Sequence, residues 1–397
     1  MTTLFGLPEK IVYCKKCVIS NQRPRSTVEF QNKPEDSKET IAFGSDGICE
    51  ACKFNEEKDL NIDWTLREAD LLKLLDKHRR SSGYDVVVPG SGGKDSAYTA
   101  HILKDKYGMN PLTVTWAPHL YTQIGWENFI NWSHVGGLDN ILFTPNGKLH
   151  RALTREAFIN LLHPFQPFIV GQRIIGPKIA EKFGIPLIMY GENQAEYGNA
   201  IKENSTPLMQ DRFYKNQKLE QVRLGGLPIK ELLTKYDVQE KEFEPYLPLE
   251  NSHFKSEVHY LGYYHKWDPQ ECFYYAVENT GFVPAPERTQ GSYSKYSSLD
   301  DKIDPFHYFT TLIKFGLGRA SYDAAQEIRT GKITRDEGVA LVKQFDAEFP
   351  DKYYEEFREY IGVTDIEFKE IVDRNRPQHI WARKSDAWSL KSPIWGE

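Results

Sequence analysis

Four cysteines stand as two pairs near the start of the chain, CKKC (Cys14, Cys17) and CEAC (Cys49, Cys52), and a fifth, Cys272, stands apart. Two C-x-x-C knuckles supply four thiolates, the ligand set of a closed tetrahedral zinc site. The stretch between the knuckles is longer than the commonest zinc spacing. Two alternatives use the same residues: a redox dithiol, which two pairs in one segment argue against, and an iron–sulfur cluster. Structural Zn2+ is the expectation, and a closed all-thiolate site leaves no open position for chemistry, so its job would be folding. Cys272, in PQECFYY, is expected to be a buried, inert thiol.

A second reactive string is Ser91-Gly92-Gly93-Lys94-Asp95-Ser96. Gly92 and Gly93 let backbone approach an oxyanion closely. Ser91 and Ser96 offer hydroxyl donors, and Lys94 adds a cation. Asp95 would repel bare phosphate, which implies a bridging Mg2+ shared by carboxylate and phosphate. A Walker loop would need glycine where Val88 stands and Ser or Thr where Asp95 stands. A dinucleotide fingerprint begun at Gly90 fails at Asp95 as well.

The elements around this string are those that would aim it at a ligand. Tyr84 to Gly90 reads as a short buried strand, rich in β-branched residues. The helix after it has an apolar stripe, Ala97, Ala100, Ile102, Leu103 and Tyr107, and stops at Gly108. Pro111 to Ala117 reads as the next strand. One βαβ unit implies a parallel sheet, with the glycine loop between a strand end and a helix N-terminus that favours an anion. A further strand, Ile185 to Tyr190, runs directly into Gly191, Glu192, Asn193 and Glu196. In an open parallel sheet the carboxyl ends of strands share one crevice, so Glu192, Asn193 and Glu196 are expected to face the glycine loop, unless they only cap a helix. Gln172 and Arg173, near the start of a helix read over VGQRIIGPKIAEKFG, are expected to reach the same crevice.

From about Asp304 onward the pattern is helical. YDAAQEIRTG ends at Gly331, and Thr334 with Glu337 has capping-box spacing. In KFGLGRAS, Lys314 and Arg319 flank two glycines and could hold a phosphate or acidic sugar. Asp301 and Lys302 in SSLDDKID are weaker candidates. The 11 histidines show no metal-binding spacing. The aromatics gathered between Tyr260 and Phe309 read first as core, with a stacking platform for a sugar or base as the sharper alternative.

The S-G-G-x-D-S string resembles the pyrophosphate loop (PP-loop) of the N-type ATP pyrophosphatases. These cleave ATP between the α and β phosphates and transfer AMP to a substrate oxygen. The cysteine pairs, PGSGGKDS, PLIMYGENQAEYG, YLGYYHKWDP and the tail IKFGLGRASYDAAQEIRTGKITRDEGVALVKQFD fall in one order. That order resembles the N-acetyl sugar amidotransferases of bacterial surface-polysaccharide (lipopolysaccharide O-antigen) and nonulosonic-acid synthesis, from about Cys14 to about Asp346.

The resemblance implies an α/β fold, a Rossmann-like parallel sheet of the adenine nucleotide alpha-hydrolase type. Residues 1–60 would form the zinc module, 61–300 the PP-loop domain, and 301–397 a helical C-terminal region. It implies ATP and an N-acetylated sugar as substrates, and conversion of an acetamido to an acetamidino group with release of AMP and pyrophosphate. Ser91, Gly92, Gly93, Lys94, Asp95 and Ser96 would hold the triphosphate. Lys94, Asp95, Glu192 and Glu196 would serve catalysis, and Gln172, Arg173, Asn193, Lys302 and Arg319 would contact substrate.

A built-in glutaminase needs a nucleophilic cysteine, N-terminal or on a tight elbow. Residue 1 is Met, followed by Thr2, and Cys272 lacks a G-x-C-x-G setting. Ammonia is therefore expected from solution or from a separate glutaminase, with a barrel-like ammonia-conducting subunit suggested by the resemblance alone.

The bulk properties agree. The chain has 397 residues, with 40% hydrophobic, 27% charged and a net charge of −6. That balance argues against a dominant nucleic-acid surface. No run of 18 apolar residues and no signal-peptide pattern is visible, so a cytoplasmic protein is expected. The main rival reading is a tRNA-modifying PP-loop enzyme, a thiolation enzyme or a lysidine-type ligase. The acidic balance and the lack of spare cysteines weigh against it.

Overall fold

The protein is described from a computed structural model over residues 3–215, 218–249, 254–385 and 387–396, without the side chains of 203, 204 and 384. Met1 and Thr2, weighed above as N-terminal nucleophile positions, lie outside these residues.

The chain begins with the cysteine-bearing segment, then α1 (Glu50–Leu60) and α2 (Trp64–His78). The α/β part runs β1 (Val86–Pro89), α3 (Lys94–Asp105), β2 (Pro111–Trp116), α4 (Gln123–His134), β3 (Asp139–Phe143), α5 (Gly147–Leu161), α6 (Gln166–Phe183) and β4 (Leu187–Tyr190). A short hairpin, β5 (Arg223–Leu224) and β6 (Leu227–Pro228), leads to α7 (Ile229–Tyr236), β7 (Glu257–Tyr260), α8 (Leu261–Tyr264) and α9 (Pro269–Thr280). The C-terminal part holds α10 (Asp304–Phe315), α11 (Arg319–Arg329), α12 (Arg335–Phe345), α13 (Tyr354–Ile361), α14 (Asp365–Arg374) and a hairpin of β8 (Trp381–Lys384) and β9 (Ala387–Leu390).

The main sheet has the order β3-β2-β1-β4-β7, and each pair in it is parallel. The chain moves outward from β1 through β2 to β3, then crosses to the other side of β1 for β4. The point where direction reverses lies between β1 and β4, and a crevice opens there beyond their carboxyl ends. Both faces of the sheet are covered, which explains the unbroken apolar run of β1. Val86 and Val88 pack with α2, α3 and α4, while Val87 joins the opposite core with α5 and α6. Leu187 and Met189 of β4 face the first core and Ile188 the second, the two-residue alternation of a strand.

Phe306, Ile313 and Phe357 from the C-terminal helices pack into the second core. A third cluster unites the four cysteines, Val18 and Ile19 with Ala324 and Ala325 of α11, Val342 of α12, and Ile394. The two ends of the sequence therefore close on each other. The C-terminal region is helical as expected and ends in the β8–β9 hairpin, against which Arg376 packs, 4.4 Å from the Trp381 ring and 5.3 Å from that of Trp388. The capping box of Thr334 and Glu337 is present at the start of α12. Among the described residues no helix is long and apolar enough to cross a membrane.

Gly125, in the first turn of α4, admits the loop that carries Asp300: a Cβ there would stand 2.3 Å from the Asp300 Cα. Because the obstacle is backbone, Gly125→Ala is expected to destabilise the protein by about 1–3 kcal/mol. Gly147→Ala, where a Cβ meets nothing within 4 Å, should leave the thermal midpoint unchanged or slightly raised. Equal midpoints for the two variants would contradict this packing.

Candidate active site

The turn after β1 is shaped by close approach. Gly92 has φ +82, and a Cβ on it would lie 3.0 Å from the Asn128 carbonyl oxygen and from Phe129 Cα. Gly93 is the N-cap of α3 and brings no side chain to its first amides. An uncapped helix N-terminus in a glycine turn suits an anion. Lys94 and Asp95 form an ion pair at 2.5 Å, and the second oxygen of Asp95, Oδ1, is buried with no hydrogen-bond partner among the described residues. Burial pulls the Lys94 ammonium down in pKa, but the Asp95 carboxylate outweighs it and the net shift is upward.

Glu192 follows β4 by two residues and lines the same cavity as Lys94 and Asp95. The Tyr197 hydroxyl donates to its Oε1. Burial raises the Glu192 pKa, and the nearby Asp95 charge raises it further. Two carboxylates and one lysine at the crevice of a parallel sheet form a site that welcomes a cation or shuttles a proton.

Gln172 and Arg173 lie in the second turn of α6, not near its start as expected, because the helix begins at Gln166 with Pro167 in its first turn. Further along the same helix, Pro177 has no N–H to give to the carbonyl of residue 173. The Tyr190 hydroxyl meets that oxygen at 3.4 Å, tying α6 to the end of β4. Arg173 Nη1 is buried without a hydrogen-bond partner among the described residues.

Two chambers meet at this point. The smaller, about 270 Å³, is lined by Gly90, Ser91, Gly93, Ser96, Arg173 and Gly191. The larger, about 580 Å³, runs under α11 and past the chain that leaves the first cysteine knuckle. Asp95, Gln172 and Glu192 line both.

Of the other expected site residues, Glu196, Asn193, Lys302 and Lys314 line neither chamber, whereas Arg319 does. Glu196 does not face the crevice: Lys58 of α1 donates to its two oxygens at 2.7 and 2.9 Å, with both side chains buried. Asn193 caps the following turn, its side chain accepting from Ala195 N. Lys302 lies 3.5 Å from Glu356, over the Tyr353 ring, and lines neither chamber. Lys314, in the last turn of α10, is buried and donates to the Leu161 carbonyl at 3.0 Å, and burial pushes it down to about 7. Arg319 is in the larger chamber, paired with Asp323 at 3.0 Å and 4.3 Å from the Tyr308 ring.

The structure adds residues that the sequence reading passed over. Asp300 and Asp304 line the larger chamber, as does Asp301, which also accepts from His119 Nδ1 at 2.7 Å and from the Ile303 amide at 2.9 Å. Burial raises Asp300, with the Ser91 hydroxyl pulling the other way. Burial pushes Asp304 up to about 7 even though Arg319 opposes the shift. A signal existed in the acid-rich string SLDDKID, but spacing alone does not say which acid faces the cavity. The polar stripe of α11, Arg319, Tyr322, Asp323, Gln326 and Arg329, was legible at helical period and lines the chamber throughout.

The four cysteines meet. Cys14 and Cys52 Sγ lie 3.9 Å apart, Cys17 and Cys49 Sγ 3.8 Å apart, and all four sulfurs fall within 4.8 Å of one another. Disulfide sulfurs stand about 2.05 Å apart, whereas Zn–S bonds of about 2.3 Å place tetrahedral sulfurs roughly 3.8 Å apart. The four thiolates can hold one metal ion such as zinc, and the space between them is too small for a multi-iron cluster. Amides of Lys16 and Cys49 point at Cys14 Sγ at 3.4 and 3.3 Å. Cys272 is buried in α9, and burial raises its thiol pKa.

Comparison with known proteins adds three findings. Residues 290–393, about a quarter of the chain, match the family model described as LPS biosynthesis protein WbpG-like, C-terminal domain. No curated protein matches the chain. Among solved structures, the NH3-dependent NAD synthetase from Campylobacter jejuni subsp. jejuni NCTC 11168, in complex with the nitrate ion, is similar at 15% identity and a TM-score of 0.28. That match covers 46% of this chain and 77% of the synthetase.

Two outcomes follow from this geometry. Removing Lys58 leaves the Glu196 carboxylate buried and unpaired, so Lys58→Met is expected to lose about 3–5 kcal/mol in chemical denaturation, and Lys58→Met/Glu196→Leu to regain most of it. A double variant no more stable than the single one would contradict the pairing. An unfolded Asp304 ionises near its ordinary value, whereas the folded one keeps its proton to about pH 7. The folded state holds the extra proton in that window, so stability falls as pH rises through it. In the ligand-free protein Asp304→Asn should therefore raise the melting temperature more at pH 8 than at pH 5; a gain independent of pH would exclude a raised Asp304.

Proposed function

With residues 290–393 matching a WbpG-like C-terminal domain of lipopolysaccharide biosynthesis, we propose that the chain is an ATP-dependent, AMP-forming amidotransferase acting on an N-acetyl sugar of a surface glycan. The observation that carries this reading is the pair of chambers sharing Asp95, Gln172 and Glu192. In this reading the smaller takes the nucleotide, the larger takes the sugar, and the acetamido group lies at the wall between them.

An amide carbon is a poor electrophile because resonance stabilises it, on a scale shown by a rotation barrier of roughly 18–20 kcal/mol. Transfer of AMP to the amide oxygen breaks that resonance and expels pyrophosphate. Ammonia adds to the carbon, loses a proton, and the carbon–oxygen bond breaks. The products are the acetamidino sugar, AMP carrying the former amide oxygen, and pyrophosphate.

The glycine turn and the α3 N-terminus hold the departing pyrophosphate, and Lys94 offsets its charge. Asp95 Oδ1 is the donor that would hold Mg2+, a fit supported by its being buried without a hydrogen-bond partner among the described residues. Mg2+ there would neutralise phosphate charge. Glu192, with its raised pKa, positions ammonia or takes its proton. Glu196 has no catalytic part in this reading, and zinc in the four thiolates serves the fold. A separate glutaminase, with an ammonia-conducting subunit, supplies ammonia.

The test mixes the protein with ATP, Mg2+, ammonium and N-acetylated sugars. AMP and pyrophosphate should form, together with a sugar lighter by the exchange of oxygen for NH, while glutamine alone should not replace ammonium. Asp95→Asn and Glu192→Gln should each lower kcat about 100-fold or more. Release of ADP and orthophosphate would refute the scheme.

A further inference from the structure

The cysteine centre poses a charge problem that its surroundings must answer. Four thiolates around one divalent ion leave a double negative charge, and Cys14, Cys17 and Cys49 are wholly buried. A buried charge with no opposite charge nearby is strongly unfavourable. Several cations near the knuckles are already taken by carboxylates: Lys16 pairs with Glu56, Arg25 with Glu50 and Lys53 with Asp46. Arg23 donates to the Tyr322 hydroxyl. Arg329, in the last turn of α11, is differently placed. Among the opposite charges around it, those of Cys17, Cys52 and Cys49 come first, ahead of Glu196.

The same residue is tied to three parts of the fold. Ala324, Ala325 and Ile328 of its helix pack on the cysteines. Its carbonyl oxygen accepts from Asn55 Nδ2 of α1 at 2.8 Å. Its Nη2 donates to the Glu196 carbonyl oxygen at 3.2 Å, while Nη1 is buried with no hydrogen-bond partner among the described residues. The carbonyl it holds belongs to the peptide that leads into Tyr197, and the Tyr197 hydroxyl donates to Glu192 Oε1. A planar guanidinium presents donors in a fixed fork and can face two acceptors at once. One side chain therefore stands between the sulfur centre and the carboxylate shared by the two chambers.

We propose that Arg329 is a positioning residue that couples the cysteine centre to the candidate active site. The thiolates, kept anionic by a bound metal such as zinc, hold the guanidinium. The guanidinium holds the peptide before Tyr197, and with it Glu192. Metal loss removes the anionic cluster that answers Arg329, and the turn after β4 is released. The part Glu192 plays in catalysis rests on the amidotransferase reading; the coupling does not.

Amide hydrogen exchange on the full chain, zinc-loaded and zinc-stripped, tests this without any substrate. The reporters are the amides of Glu196 and Gly198, which bond the Asn193 and Ala195 carbonyls within the turn. Amides of β1 and β4 are the control for an intact fold. Stripping should speed exchange in the turn about tenfold or more and leave the strands protected. Arg329→Met should bind zinc about tenfold more weakly in chelator competition, and its turn should exchange at the stripped rate even when loaded. Arg329→Lys keeps the charge without the fork, so it should retain most of the zinc affinity yet exchange faster than wild type. Should Arg329→Met not fold, the wild-type comparison and the lysine variant decide. The coupling is overturned if the turn exchanges alike with and without zinc, if Arg329→Met matches wild type in either measurement, or if the strands lose protection together with the turn. Zinc-dependent exchange in a chain that forms no amidine would sink the reaction and spare the coupling; amidine formation with zinc-independent exchange would do the reverse.

Discussion

The buried ion pair between Lys58 and Glu196 holds the site together. It joins α1, whose first turn carries Cys52 of the second cysteine knuckle, to the turn that follows β4. Lys58 also donates to the Trp267 carbonyl at 3.2 Å, drawing the chain ahead of α9 into the same knot. Glu192 and Tyr197 sit on either side of Asn193–Glu196, so their placement depends on where Glu196 is pinned. Arg329 adds a second tie by donating to the Glu196 carbonyl oxygen at 3.2 Å. Two charges out of water gain little by themselves. Their effect here is geometric: they fix the cysteine module, the sheet edge and α11 in one arrangement, and the larger chamber is the space left between them.

Much of the fold was legible because its signals are local. The β-branched run at Val86–Val88, the glycine turn and the stripe of α3 each follow from short-range rules, and together they demand a parallel sheet. The strand order adds what short-range rules cannot give, the reversal between β1 and β4 that puts Gly92 and Glu192 at one crevice. Helix starts were less legible: Gln166 opens α6 with a proline in its first turn, although VGQR looked like the beginning.

The candidate site was legible in part, and the misses have a common cause. Lys94, Asp95 and Glu192 stand next to strand ends, where direction is dictated by the sheet. Glu196, Asn193, Asp300 and Lys302 sit in turns and Asp304 opens α10, places where a shift of one residue changes which side chain looks inward. Asp300 and Asp301 both line the chamber, and Asp301 is in addition tied to His119.

The third core has a bearing on how the protein is made. Its first layer, from Cys14 to Cys52, leaves the ribosome long before Ala324, Ala325 and Val342, the residues that cover it. At about 5–20 residues per second the delay is on the order of tens of seconds. During that interval the four thiols lack their protein cover and are accessible to metal and oxidant alike. Any metal that the four thiols hold could therefore enter before the C-terminal helices cover them.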